Sequence, residues 1–301
     1  MNDKSSITAL MSAFGRAFHA ENEQNPIFAD TMAKQLLTDE EYNLIGNYIL
    51  QGIDFFAPDK KGNFKSEKDE LRYLVNTQIA PTPLARSRFC EDSLKTAMQT
   101  GTTQYVILGA GLDTFAFRET NFMKKYKVFE VDHPQTQLDK INRVKRAKLE
   151  IPENLFYVPV DFSKDDLKNG LISAGFDPRQ KTFFSWLGVS YYLTEEEIEK
   201  TLDNIAFLSA DGSSLVFDYA DENLFSSTMK RVQNMVAMAK AGGEEMKSCF
   251  SYAKLEKLLE KHRFLIYELM TEQDIQENYF AGRGEELTAF EHINYVTAVH
   301  K

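Results

Sequence analysis

The stretch Gln104-Tyr-Val-Ile-Leu-Gly-Ala-Gly-Leu-Asp-Thr114 decides the fold. Its run Val106-Ile-Leu108 shows no polar alternation, the pattern of a strand buried on both faces of a parallel sheet. Gly109 and Gly111 follow; lacking a Cβ, they admit unusual backbone angles and the close approach of a ligand. A helix is then predicted, with Asp113 or Thr114 as its cap. Lys127-Val-Phe-Glu-Val-Asp132 is a second short strand ending on an acid. Asp132 stands 21 positions after Gly111, close to the spacing of roughly 20 residues at which a carboxylate meets ribose hydroxyls. A carboxylate there accepts from both hydroxyls of an unphosphorylated ribose and repels a 2′-phosphate. The third position of the dinucleotide fingerprint is Thr114, not glycine. That tilts the reading from NAD toward a nucleoside without a diphosphate.

The 301 residues allow one large domain, or a domain with a cap. With 43% hydrophobic and 27% charged residues, the composition is that of a soluble globular protein. A net charge of -10 leaves no basic surplus to neutralise phosphates, which argues against a nucleic-acid partner. Two cysteines, Cys90 and Cys249, suit a reducing compartment and form no metal motif. The polar first residues and the interruption by Arg16 and His19 lead us to expect no signal peptide, and no stretch approaches the roughly 20 apolar residues that span a bilayer. The expectation is a cytoplasmic protein without membrane partner or metal, its oligomeric state open.

Ile7, Leu10, Met11, Phe14 and Phe18 fall on one helical stripe. More helix is expected around Pro26 to Leu37 and Glu40 to Gln51, then a polar loop or helix start from Pro58 to Glu70. Pro81 and Pro83 are read as breaking the pattern before a helix from about Leu84 to Thr100. Leu155-Phe-Tyr-Val-Pro-Val-Asp161 is a third strand, followed by Phe162. An acid plus an aromatic suits an adenine ring; alternatively Asp161 caps the turn that carries Ser163, Asp165 and Asp166. Thr182 to Gly188 is a fourth strand and Thr194-Glu-Glu-Glu197 a capping box. Ser214 to Tyr219 is a fifth strand, and a helix with a methionine stripe is expected from Leu224 to Gly243. Ser251 to His262 is a further helix. Phe264 to Met270 and His292 to His300 close the chain as a strand pair without a further helix crossover. Strands alternating with helices mean a doubly wound α/β sheet with ligands at the carboxyl ends of the strands. Asp113, Asp132, Asp161 and residues 187–189 fall on that edge. The terminal pair is the pattern of a seven-stranded methyltransferase sheet whose last strand runs antiparallel.

Residues 104–118, Phe129-Glu-Val-Asp-His-Pro134, Val160-Asp-Phe162 and Gly175-Phe-Asp-Pro178 resemble the leucine carboxyl methyltransferase family. The closer likeness is to its bacterial branch of S-adenosylmethionine-dependent O-methyltransferases. Residues 26–33 and 85–92 fit the branch as well. The likeness runs from about residue 5 to about 220 and is looser beyond. It implies a class I, Rossmann-like methyltransferase fold: a helical cap over residues 1–100 and a core over 101–301, with a helical insertion at about 221–262 and a late loop at about 271–290. It implies S-adenosylmethionine as cofactor and S-adenosylhomocysteine as product. Gly109, Ala110 and Gly111 would approach the methionyl part, Asp132 would hold the ribose, Asp161 and Phe162 would bracket the adenine, and His133 would also contact the cofactor. Arg86 would pair with the methionyl carboxylate. Leu187 departs from the pattern, standing where the family usually has an acid before glycine. A lost charged contact costs roughly 1.5–3 kcal/mol, about tenfold to a hundredfold in affinity.

The implied reaction is O-methyl transfer to a carboxylate or hydroxyl of a small molecule or peptide terminus. A carboxylate acceptor is already ionised and needs no base, which fits the lack of an evident Ser-His-Asp or paired-carboxylate pattern. For a hydroxyl acceptor, His133 or His292 is the candidate base. Tyr191, Tyr192 and Arg283 are the substrate-side candidates, Arg283 within the glycine-flanked Tyr279-Phe-Ala-Gly-Arg-Gly284. Two other readings stay open. One is a nicotinamide-dependent oxidoreductase, against which Thr114 and the terminal strand pair count. The other is a non-catalytic S-adenosylmethionine-binding protein, prompted by Leu187.

Overall fold

A computed structural model describes residues 6–162, 166–283 and 286–301. Ser163, Asp165 and Gly284 lie outside the described residues. Seven strands form one sheet: β1 (Gln104–Leu108), β2 (Lys127–Asp132), β3 (Leu155–Pro159), β4 (Thr182–Trp186), β5 (Ser214–Ala220), β6 (Phe264–Met270) and β7 (Ile293–His300). Their order is β3-β2-β1-β4-β5-β7-β6. The first five run parallel, and β7 is antiparallel to both β5 and β6. This is the doubly wound sheet with an antiparallel last strand that the terminal strand pair predicts. Every residue of β1 is buried, as an apolar run without alternation requires.

Alternate β1 residues feed two cores. Tyr105 and Ile107 pack with Phe14, Leu84 and Phe89 from helices Ile7–Asn22 and Pro81–Gln99. Val106 and Leu108 pack on the opposite face with Phe129, Phe184, Trp186 and Leu202. The helices of the first hundred residues therefore share one continuous core with the sheet.

Several local expectations are corrected. Residues 26–37 hold only the short turn Ala33–Leu36, because Ile27, Phe28, Leu36 and Leu37 are buried from irregular backbone rather than from one helical face. Pro81 and Pro83 begin a helix instead of breaking one. Pro81 occupies the first turn of Pro81–Gln99, where a missing N–H costs nothing. The helix expected after Gly111 is reduced to two single turns, Phe115–Arg118 and Thr120–Met123. The Thr114 hydroxyl does not cap it but donates to Asp30 Oδ1 at 2.7 Å, while Asp113 Oδ1 accepts from Phe115 N at 2.7 Å. The helix expected from Leu224 to Gly243 is the turn Leu224–Ser226 followed by the helix Lys230–Ala241. The capping box at Thr194 and Glu197 is present.

Candidate active site

The turn after β1 is pinned to β2. Gly109 N and Ala110 N both donate to Val131 O, at 2.8 and 3.1 Å. Gly109 and Gly111 have φ of 71° and 49°, angles that favour glycine. A Cβ on Gly109 would lie 2.6 Å from Val189 Cγ2 beyond β4, and one on Gly111 would lie 3.3 Å from Ala9 Cβ. Close approach is therefore required on two sides, from the β4 loop and from helix Ile7–Asn22.

Asp132 ends β2 against this turn. Its Oδ2 accepts from Gly111 N at 2.5 Å and its Oδ1 from His133 N at 2.7 Å. Burial raises its pKa, and the two N–H donors oppose that rise. Each oxygen keeps a second lone pair, so a carboxylate fixed in this way can receive two further hydroxyl donors. His133 Nε2 stands 3.9 Å from Asp161 Oδ2, and Phe162 packs on the second core beside them. The predicted ribose and base residues thus share one edge of the sheet.

Arg86 approaches the same edge from helix Pro81–Gln99. Its Nη1 donates to Tyr191 OH and to Asp218 Oδ2, both at 3.1 Å. Asp218 is fully buried on β5, and its Oδ1 accepts from Gly188 N at 2.6 Å. Burial would lower the Arg86 pKa, but Tyr191 and Asp218 hold it above its ordinary value. Gly188 has φ 70°, and a Cβ there would overlap the Arg86 guanidinium. The guanidinium is thus fixed through Nη1 and packed over Gly188. Leu187 is half-buried against the first core, so it contributes no charge. The carboxylate at this turn comes from β5 instead.

Burial pushes the Tyr191 phenol far above its ordinary range and Tyr192 up to about 12. Both remain neutral hydroxyls near pH 7; Tyr191 OH accepts from Arg86 Nη1 at 3.1 Å and lies 3.3 Å from Asp218 Oδ2. Glu244, whose charge helps raise Tyr192, accepts from Ser6 Oγ at 3.1 Å through Oε1. Arg283 makes its contact elsewhere. It donates to Asn25 O at 2.5 Å and lines a polar cleft with Glu23, Asp69 and Arg72.

Three features escaped sequence reasoning. Asp218 was detectable as an acid inside an otherwise apolar strand. Asp30 lies within residues 26–33, yet its role as the buried partner of Arg16, Thr114 and Arg118 depends on tertiary contacts. The third is a Ser-His-Asp arrangement, which the residue pattern did not reveal. His292 Nδ1 lies 3.0 Å from Asp221 Oδ1, and its Nε2 3.1 Å from Ser227 Oγ.

The family described as leucine carboxyl methyltransferase matches residues 9–206. The chain belongs to this family. It is 45% identical to the Putative S-adenosyl-L-methionine-dependent methyltransferase YktD of Bacillus subtilis (strain 168), with 99% of each chain covered. A Putative S-adenosyl-L-methionine-dependent methyltransferase of Mycolicibacterium paratuberculosis is 32% identical over 79% of this chain and 73% of its own. In fold, the chain is similar to a crystal structure of a putative methyltransferase from Thermobifida fusca, with TM-score 0.57 and 12% identity, covering 99% of this chain and 96% of that one. This member of the leucine carboxyl methyltransferase family is an S-adenosylmethionine-dependent methyltransferase. Among the described residues no helix is long and apolar enough to cross a membrane.

Proposed function

We propose that this enzyme transfers a methyl group to oxygen, on a carboxylate or hydroxyl of a small molecule or peptide terminus. The observation that supports this reading most is the placement of Arg86, the glycine turn and Asp132 along one strand edge. In this assignment Asp132 takes the ribose hydroxyls, and His133, Asp161 and Phe162 flank the base. Gly109, Ala110 and Gly111 lie under the methionyl chain, and Arg86 pairs with its carboxylate beside Leu187. When bound, S-adenosylmethionine supplies an already activated methyl group. The protein's own contribution is orientation and exclusion of water, which together account for about 7–11 kcal/mol of barrier in well-aligned reactions. Tyr191 and Tyr192, kept neutral by burial, would bound the acceptor. The first hundred residues act as the cap. Free Cys90 and Cys249 fit a cytoplasmic setting.

Transfer of labelled methyl to a panel of carboxylate and hydroxyl acceptors tests the proposal. Alkali releases methanol from a methyl ester and leaves an ether intact, so the product's lability separates the two acceptor classes. Label found only on nitrogen or carbon acceptors would overturn it.

A further inference from the structure

The geometry points to a second reactive centre, in which Ser227 is a nucleophile activated by His292 and Asp221 toward apolar esters. Asp221 directly follows β5, and His292 directly precedes β7. Antiparallel pairing of these strands brings together residues 71 positions apart. His292 has φ 64°, a sparsely populated conformation that costs of order 1–3 kcal/mol. That conformation sets the ring between its two partners.

The hydrogen-bond directions follow from the chemistry of the three groups. An ionised carboxylate only accepts, so Asp221, 3.0 and 3.1 Å from Nδ1, makes that nitrogen the N–H. In the neutral imidazole Nε2 then carries the lone pair, and Ser227 Oγ, 3.1 Å away, is placed to donate to it. Asp221 is itself held, with Oδ1 accepting from Asn223 N at 2.8 Å and its backbone N donating to His292 O at 3.0 Å. Carboxylate, oriented imidazole and hydroxyl stand in the relation that activates a serine, irrespective of chain order. Ser227 also lies just before helix Lys230–Ala241, whose N-terminus has no side-chain cap. Ser227 Oγ also accepts from Met229 N at 3.3 Å, which holds the hydroxyl beside the imidazole. Phe225 and Met229, each about half exposed, flank Ser227 in sequence and offer an apolar platform for an acyl or aryl group.

In the first half-reaction Oγ bonds to the ester carbonyl carbon as its proton moves to Nε2. The carbon–oxygen bond of the ester then breaks, and the leaving alkoxide takes that proton. In the second half-reaction water attacks the acyl-serine, giving a proton to Nε2. The acid leaves, and the proton returns to Oγ. No oxidant, metal or cofactor takes part.

The test treats the full chain with a fluorophosphonate probe, mapping the labelled peptide, and assays p-nitrophenyl butyrate hydrolysis. Labelling at Ser227 is expected. Ser227→Ala and His292→Asn should lower hydrolysis by at least about a hundredfold while S-adenosylhomocysteine binding persists. Asparagine suits the left-handed backbone at 292, so that variant removes the base without adding strain. Should a variant fail to bind S-adenosylhomocysteine, the labelling site in the unaltered chain still decides. An unlabelled Ser227, or hydrolysis unchanged in Ser227→Ala, would overturn the inference.

Discussion

At the scale of single residues, Gly188 and Glu130 carry the sharpest consequences. Gly188 has φ 70° and no room for a Cβ against the Arg86 guanidinium. Gly188→Ala should therefore displace Arg86 and weaken S-adenosylhomocysteine binding by about tenfold to a hundredfold, the worth of a charged hydrogen bond. Calorimetry measures this directly, and unchanged affinity would remove Arg86 from the cofactor site. Glu130, on β2, is fully buried, with Lys140 Nζ 2.5 Å from its Oε2. Burial pushes its pKa from 4.5 up to about 7, against the pull of Lys140. A carboxyl raised in the folded state binds its proton more tightly there, so its contribution to stability is lost as pH rises from 4.5 through about 7. Glu130→Gln should flatten that slope in denaturant titrations across this window. An unaltered slope would mean that the Lys140 pairing dominates. Glu130 and Asp218 were visible in sequence as acids among apolar neighbours, Asp218 as the one charge of β5. Whether each faced a lysine, an arginine or a cofactor was not, because the partner comes from a distant helix.

At the scale of elements, Asp30 joins the segment after helix Ile7–Asn22 to the turn after β1. It receives Arg16 Nε at 2.8 Å and Thr114 Oγ1 at 2.7 Å, with Arg118 Nε 3.5 Å away. Arg118 in turn pairs with Glu91. Asp30→Ala would leave two largely buried guanidinium groups without this partner and should destabilise the fold by about 3–5 kcal/mol in chemical denaturation. Burial alone would raise the Asp30 pKa, but Arg16, Arg118 and Thr114 hold it below 3.8. Its contribution is therefore present above pH 3.8 and fades as pH falls through the lower folded value. The gap between the native chain and Asp30→Asn should narrow correspondingly in acid. A gap independent of pH would show that the ion pairs are not the source. The strands were legible because apolar runs and glycine turns are local signals. The elements around Asp30 were not, since a loop that buries Ile27 and Phe28 beside such a hub has the composition of a helix without its backbone. Pro81 misled for the opposite reason: its position in the first turn, not its identity, determines its effect.

At the scale of the whole molecule, helix Ile7–Asn22 lies over the glycine turn, with Ala9 against Gly111 and Arg16 Nη2 donating to Leu112 O at 2.7 Å. Ligand bound at that turn should stabilise the sheet edge and this helix together. S-adenosylhomocysteine at a hundred times its Kd should add about 2.7 kcal/mol of stability, and amide exchange should slow in the helix as well as at β1 and β2. Protection confined to the sheet would contradict the covering role. The doubly wound class of the sheet and its antiparallel last strand were readable in advance; the strand order was not. The helix near the start of the chain was legible from its apolar stripe, but its contacts with Gly111 and Leu112, and the β5–β7 pairing that assembles Asp221, Ser227 and His292, required the folded chain. The central claim is that Asp132 holds the cofactor's ribose at the end of β2. Titration calorimetry of S-adenosylhomocysteine against the native chain and Asp132→Ala tests it most directly. The account predicts binding by the native chain and a loss of at least about tenfold in the variant, since two charge-assisted hydrogen bonds disappear. Equal affinity in the two proteins would contradict it.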